Sequence, residues 1–288
     1  METLMTVAEL KDRLDAGTRT VLLDVRWALG DPHGRDHYLE SHLPGAVFVD
    51  LATELAAPHE DPTRGRHPLP PLEQFQASAR AWGIREGDTV VAYDNSGNMA
   101  AARVWWMLRN AGVSSVRLLD GGLAVWLEAG FDVESGDVTA EPGDVVLTEG
   151  GMPVVDAAGA GAWSGSGLLL DARAGERYRG EIEPVDPRAG HIPGAVSAPT
   201  SNNLGPDGRF LPADALRRRF SELGVNEGVQ TAVYCGSGVT AAHEVAALEI
   251  AGYRAALYPG SFSEWSNNPG NLVVTGAEPD GTHQGAKD

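Results

Sequence analysis

The stretch Thr231-Ala-Val-Tyr-Cys-Gly-Ser-Gly-Val-Thr240 decides the fold. Its first four residues form a short, mostly apolar run, the next few are small, and an alanine-rich segment begins at Thr240. An apolar run that turns through glycines into such a segment reads as strand, loop and helix. The same unit stands earlier in the chain. Val-Val-Ala-Tyr-Asp-Asn-Ser-Gly, Val90–Gly97, aligns residue for residue with Thr-Ala-Val-Tyr-Cys-Gly-Ser-Gly, Thr231–Gly238.

Further matches flank this pair. Leu22–Arg26 (LLDVR) returns as Leu169–Arg173 (LLDAR), His42–Val47 (HLPGAV) as His191–Val196 (HIPGAV), and Gly121–Trp126 (GGLAVW) as Gly260–Trp265 (GSFSEW). All keep one order and a spacing of roughly 140–150 residues, which means two domains of one fold and not a solenoid of short units. The boundaries read as a first domain over 1–137, a linker over 138–150 and a second domain over 151–288. The Gly-, Asp- and Glu-rich stretch Glu134–Asp144 marks the junction.

Each copy carries the same coarse elements. Val21–Val25, Thr89–Tyr93, Leu168–Ala172 and Thr231–Tyr234 read as buried strands. Leu72–Trp82, Ala100–Ala111, Ala213–Leu223 and Thr240–Ala251 read as amphipathic helices, with Gly112 and Gly252 as stops. Alternation of this kind predicts an α/β fold in which each domain is a parallel sheet flanked by helices. Met1–Leu10 reads as helix-like and the weakly apolar tail Gly276–Asp288 as mobile.

A formal net charge of −18 argues against nucleic acid and anionic membranes as partners, because both need a basic surface. An anionic substrate then requires a local cationic site. The single cysteine, Cys235, rules out an intramolecular disulfide and a metal site built on several thiolates. Met1–Leu10 lacks the basic and apolar regions of a signal peptide. No apolar run approaches the roughly 20 residues that span a bilayer, so a cytoplasmic location is expected.

Cys235 follows its strand directly and precedes a helix, the place where open α/β sheets bind ligands. Free N–H groups at a helix start favour an anion such as a thiolate or a persulfide. Gly236 and Gly238 let the backbone curl around the sulfur with its amides pointing inward. The equivalent residue of the first copy is Asp94, so only the second copy holds a nucleophile.

The tandem copies, the His-Ile-Pro-Gly-Ala run, the Asp-x-Arg strand ends and Cys-Gly-Ser-Gly-Val-Thr-Ala resemble the two-domain rhodanese sulfurtransferases, from about Val21 to Trp265. The cysteine loop is similar to that of the 3-mercaptopyruvate branch; thiosulfate-preferring members carry larger, basic residues at the positions of Gly236 and Ser237. The resemblance implies a non-catalytic N-terminal domain, a catalytic C-terminal domain and a site in the cleft between them. It also implies a ping-pong cycle in which Cys235 takes a sulfane sulfur and passes it to cyanide, a thiol or thioredoxin. This chemistry requires no metal and no organic cofactor.

Gly236, Ser237, Gly238, Val239 and Thr240 are expected to bind the donor and stabilise the persulfide through their backbone amides. The donor is an anion, and a guanidinium fork suits its carboxylate or sulfonate. Arg177, in Gly-Glu-Arg-Tyr-Arg-Gly, matches the family's substrate-binding arginine; Arg179 and Arg188 are further candidates. The mercaptopyruvate branch usually carries a second arginine nine residues on, where this chain has Asp186. His67 and Ser237 match the histidine and serine of a proposed Ser-His-Asp relay. The acid of that relay falls at Ala52, with Asp50, Glu54 and Asp61 nearby.

The pairs Asp24–Arg26 and Asp171–Arg173 read as buried ion pairs that fix turns, and His42 and His191 as turn and packing residues. Trp27 matches an aromatic that lines the cleft in relatives, whereas Trp105, Trp106, Trp126 and Trp265 read as core. A thiosulfate:cyanide sulfurtransferase is the main alternative and differs only in its donor contacts. A cysteine phosphatase would need an arginine closing the loop, but Ala241 and Ala242 stand there. A non-catalytic sulfur-relay or binding module is a third class, and a Cys-His hydrolase a fourth, without a histidine at a recognisable place.

Overall fold

The computed structural model of the protein describes residues 2–58 and 60–283. They form two compact units. The first comprises residues up to Pro58, Leu69–Met152 and Leu204–Phe210; the second comprises the rest, including the short segment that ends at Pro68.

In the first unit the order is β1 (Leu4–Met5), α1 (Val7–Asp15), β2 (Thr20–Asp24), α2 (Gly34–Glu40), β3 (Val47–Phe48), α3 (Leu51–Glu54), α4 (Leu72–Ala81), β4 (Thr89–Tyr93), α5 (Ala101–Asn110), β5 (Val116–Leu119) and α6 (Gly122–Glu128). The strands form one parallel sheet in the order β1-β5-β4-β2-β3. Its core gathers Leu22, Val91, Tyr93, Leu119, Leu123 and Trp126.

The second unit repeats the plan. It runs α7 (Ala157–Ala162), β6 (Leu168–Asp171), α8 (Gly175–Tyr178), β7 (Val196–Ser197), α9 (Ala213–Glu222), β8 (Thr231–Tyr234), α10 (Thr240–Ile250), β9 (Ala255–Leu257), α11 (Ser261–Asn267), β10 (Val274–Thr275) and β11 (Thr282–His283). Its parallel sheet has the order β7-β6-β8-β9, with a core around Leu169, Tyr178, Tyr234, Phe262 and Trp265. Both units are thus parallel sheets flanked by helices, as the repeats imply. The expected core tryptophans, Trp105, Trp106, Trp126 and Trp265, are all buried.

Three expectations change. The stretch Met1–Leu10 is not one helix: Leu4 and Met5 pair in parallel with Leu118 and Leu119, and α1 begins only at Val7. A capping box sets that start, the Thr6 hydroxyl accepting from the Glu9 N–H while the Glu9 carboxylate accepts from the Thr6 N–H. The tail does not leave the fold at Gly276. Val274 and Thr275 pair antiparallel with His283 and Thr282, and the Pro279 carbonyl accepts from the Gly194 N–H at 2.8 Å; residues 284–288 lie outside the described range.

The third change concerns α10, which is buried on nearly all sides from Ala241 to Leu248 and is therefore not amphipathic. It lies between the sheet and a cover made of α9 and the turn Thr200–Asn203. Its polar residues consequently need internal partners. His243 Nδ1 meets the Thr200 hydroxyl at 2.7 Å, and Glu244 accepts from Asn203 at 2.5 Å and from Arg219 at 3.3 Å. Burial pushes the Glu244 carboxyl above its ordinary range, against the pull of Arg219.

Candidate active site

Strand β8 ends at Tyr234 and delivers Cys235, 1% exposed, to the loop before α10. The Gly238 N–H donates to Sγ at 3.2 Å. Gly238 has φ +78°, the left-handed turn that aims this N–H back at the sulfur and that a side chain would strain. The loop is held from behind by the start of α11. The N–H groups of Phe262 and Ser263 donate to the carbonyls of Cys235 and Gly236, at 3.0 and 2.8 Å.

Ser261 completes this grip. Its hydroxyl accepts from the Cys235 N–H at 3.1 Å and donates to the Tyr258 carbonyl at 2.8 Å. It is a buried non-glycine residue at φ +54°, a conformation that persists only where the surroundings impose it. Sequence reasoning passed over Ser261, although its counterpart in the first copy, Gly122 at φ +56°, carried the signal.

Two guanidinium groups converge on Gly236. A Cβ at that position would lie 3.0 Å from Arg66 Nη2 and 3.5 Å from Arg177 Nη1. A side chain there would press on the ends of both guanidinium groups, most tightly on that of Arg66. Arg177 binds Glu183 through Nε and Nη2, at 3.3 and 2.6 Å, and Asp186 through Nη2 at 3.1 Å. Arg66 pairs through Nη1 with the other oxygen of Asp186. The Asp186 side chain is fully buried between the two arginines. Burial raises its carboxyl above the ordinary range, with Arg66 and Arg177 pulling the other way. Arg66 was missed in the sequence, though it directly precedes His67.

His67 Nδ1 lies 2.8 Å from the Ser237 hydroxyl, which is buried. Of the acids around position 52 in the sequence, Asp50 caps α3 through the N–H groups of Ala52 and Thr53. Glu54 accepts from the Asp50 N–H and from Trp82 Nε1, and Asp61 caps the turn Pro62–Arg64. Val239 is buried at the cap of α10, and Thr240 is its first residue.

Arg188, expected to bind the donor, is engaged elsewhere. Its guanidinium donates to the carbonyls of Ser266, Asn271, Trp265 and Asn268, at 2.7–3.0 Å, and thereby closes the end of α11. Arg179 pairs with Glu181 at an exposed position. Trp27 is half-buried, its N–H on the Val25 carbonyl at 3.1 Å. Arg173 binds Asp171 at 2.6 Å, the Gly190 carbonyl at 2.6 Å and the face of Phe262 at 3.8 Å. Arg26 binds Asp24 at 3.0 Å and the Ser41 carbonyl at 2.8 Å. His42 and His191 stack on Tyr38 and Tyr178 and bond the carbonyls of those residues.

The corresponding loop of the first unit holds a carboxylate. Asp94, fully buried, accepts from the N–H groups of Ser96, Asn98, Ala100 and Ala101, at 2.7–3.0 Å. This loop geometry is therefore a backbone cradle for an anion. Among the described residues, no cluster of three or more His, Cys, Asp or Glu side chains could hold a metal ion. No helix among them is long and apolar enough to cross a membrane.

The family described as Rhodanese-like domain matches the chain twice, over residues 6–129 and 155–268. A Pseudomonas aeruginosa protein named "Probable 3-mercaptopyruvate sulfurtransferase" is 47% identical over 279 residues, 95% of this chain and 98% of its own. A Mycobacterium tuberculosis protein named "Putative thiosulfate sulfurtransferase SseB" is 47% identical over 280 residues, 96% of this chain and 98% of its own. Among solved structures, that of the 3-mercaptopyruvate sulfurtransferase SseA from Escherichia coli superimposes with a TM-score of 0.81 at 31% identity, covering 91% of this chain and 99% of that one.

Proposed function

The chain belongs to the rhodanese family, and on that premise we propose that it is a sulfurtransferase that carries sulfur from 3-mercaptopyruvate on Cys235. The observation that carries this reading is the thiol that accepts the Gly238 N–H, with guanidinium groups against the adjacent glycine. A thiol beside cationic groups suits a donor that brings both a transferable sulfur and a carboxylate.

The Cys235 thiolate attacks the donor sulfur and the S–C bond breaks. Its electron pair leaves on carbon as the enolate of pyruvate, which takes up the proton of the donor thiol. The products are the Cys235 persulfide anion and pyruvate. In the second half, cyanide or an acceptor thiolate attacks the outer sulfur of the persulfide. The S–S bond breaks, thiocyanate or a new persulfide departs, and the Cys235 thiolate returns. No external oxidant or reductant enters either half.

Arg177 holds the donor carboxylate through Nη1, the end that its bonds to Glu183 and Asp186 leave toward the loop. The N–H groups from Gly236 to Thr240 stabilise the persulfide, as the equivalent loop stabilises Asp94. Ser237, bonded to His67, donates to the charge that develops on the leaving enolate. Small acceptor thiols and thioredoxin-type proteins are the partners this cycle needs, and a reducing cytoplasm is where one unpaired thiol stays usable.

Thiosulfate is the competing donor. In that case the S–S bond breaks and sulfite leaves with its electron pair. Glycine at position 236 favours mercaptopyruvate, because the loop itself presents no basic side chain to a sulfonate. Comparing kcat/KM for the two donors tests the reading: mercaptopyruvate should be preferred by at least tenfold, and a preference for thiosulfate would overturn it.

A further inference from the structure

We propose that Arg66 is the second anion-binding residue of the donor site, and that Asp186 is the internal counter-ion that aims both Arg66 and Arg177 at Gly236. The inference rests on reading Cys235 as the sulfur carrier for an anionic donor.

Asp186 divides its two oxygens between two arginines, Oδ1 on Arg66 and Oδ2 on Arg177. A buried carboxylate so placed fixes the planes of both forks. Arg66 Nη2 and Arg177 Nη1 then come to within 3.0 and 3.5 Å of where a side chain at position 236 would begin. Arg177 is further locked by two contacts to Glu183, which leaves its Nη1 edge toward the loop. Arg66 Nη2 comes nearer to the Cβ position of residue 236 than any atom of Arg177.

Three cations, Arg66, Arg177 and Arg173, balance three carboxylates, Asp186, Glu183 and Asp171, in this cluster. The site therefore persists on an acidic chain without attracting anions indiscriminately, and it gains a net negative charge only when the donor arrives. That arrangement selects a planar α-keto carboxylate that two fork edges can hold from adjacent sides. It also accounts for the aspartate at 186: the guanidinium comes from position 66, in a different segment, and the acid holds it there.

The test uses the full-length protein with Arg66→Ala, Arg66→Lys and Asp186→Asn. In Arg66→Ala, the KM for 3-mercaptopyruvate should rise at least tenfold, with a much smaller change in kcat, and Arg66→Lys should recover part of the loss. A second readout needs no turnover: alkylation of Cys235 by anionic iodoacetate against neutral iodoacetamide. The ratio of the two rates should fall at least fivefold in Arg66→Ala and rise in Asp186→Asn. A merely structural role would change both reagents alike, and that result, or a KM within twofold of wild type, would overturn the proposal. If the wild type ignores mercaptopyruvate while the alkylation ratio still depends on Arg66, the anion site stands and the donor assignment fails.

Discussion

Asp94 and Cys235 stand at the same point of two copies of one loop, each directly after the tyrosine that ends a central strand. The carboxylate of Asp94 receives four backbone N–H bonds, and the sulfur of Cys235 receives that of Gly238. The two loops thus share a position and a fold, one around a carboxylate and the other around a thiol. Asp94→Ala would leave those amides buried without an acceptor, at a cost of about 2–4 kcal/mol. Chemical denaturation should show the loss, while the variant still folds and transfers sulfur at a near-normal rate below its transition.

Ser237 and His67 form a further polar contact at the site, at 2.8 Å. Ser237→Ala should lower kcat for mercaptopyruvate by about 10- to 100-fold, because a donor to the developing anion is lost. The Cys235 persulfide should still form from a donor that needs no enolate, such as thiosulfate. Equal losses with both donors would assign Ser237 to the loop's structure instead.

Much of this site was legible in the sequence. The repeat exposed both domains and the Asp94–Cys235 correspondence, because strand ends and tight turns tolerate few residues. Arg66 and Ser261 were not legible in the same way. Arg66 reaches Gly236 from a segment some 170 residues away, and no local pattern encodes that approach. Ser261 looks like an ordinary helix-start serine until its φ of +54° is known. Arg188 misled for the opposite reason: its place beside Asp186 in the chain says nothing of the four carbonyls that occupy it. The first ten residues were misread because pairing with β5 outweighs helix propensity at Leu4 and Met5.

Arg173 and Asp171 are both buried at the end of β6. Removing the acid strands a guanidinium in the interior, so Asp171→Ala should destabilise the second unit by about 3–5 kcal/mol. Thermal unfolding checks this, with sulfur transfer lost through unfolding and restored on cooling only in the fraction that refolds.

In the first unit the matching acid, Asp24, makes stability depend on pH. Burial pushes the Asp24 carboxyl up to about 6 despite Arg26 at 3.0 Å. The folded state therefore holds a proton that the unfolded chain releases near the ordinary aspartate value of about 4. This group's stabilising contribution is complete below about pH 4 and is lost as pH rises through about 6. Asp24→Asn should flatten that decline, removing up to about 3 kcal/mol of the difference between pH 4 and pH 7. Denaturant titrations of both proteins at the two pH values measure it, and an unchanged difference would show that Asp24 is ionised throughout.

On the proposed cycle, Cys235 carries the sulfur. Intact-protein mass spectrometry after brief exposure to 3-mercaptopyruvate, without acceptor, tests it most directly. The wild type should gain the mass of one sulfur atom, removable by cyanide, and a folded Cys235→Ala variant should gain none. A wild type of unchanged mass, or a variant that still takes up sulfur, would rule out Cys235 as the carrier.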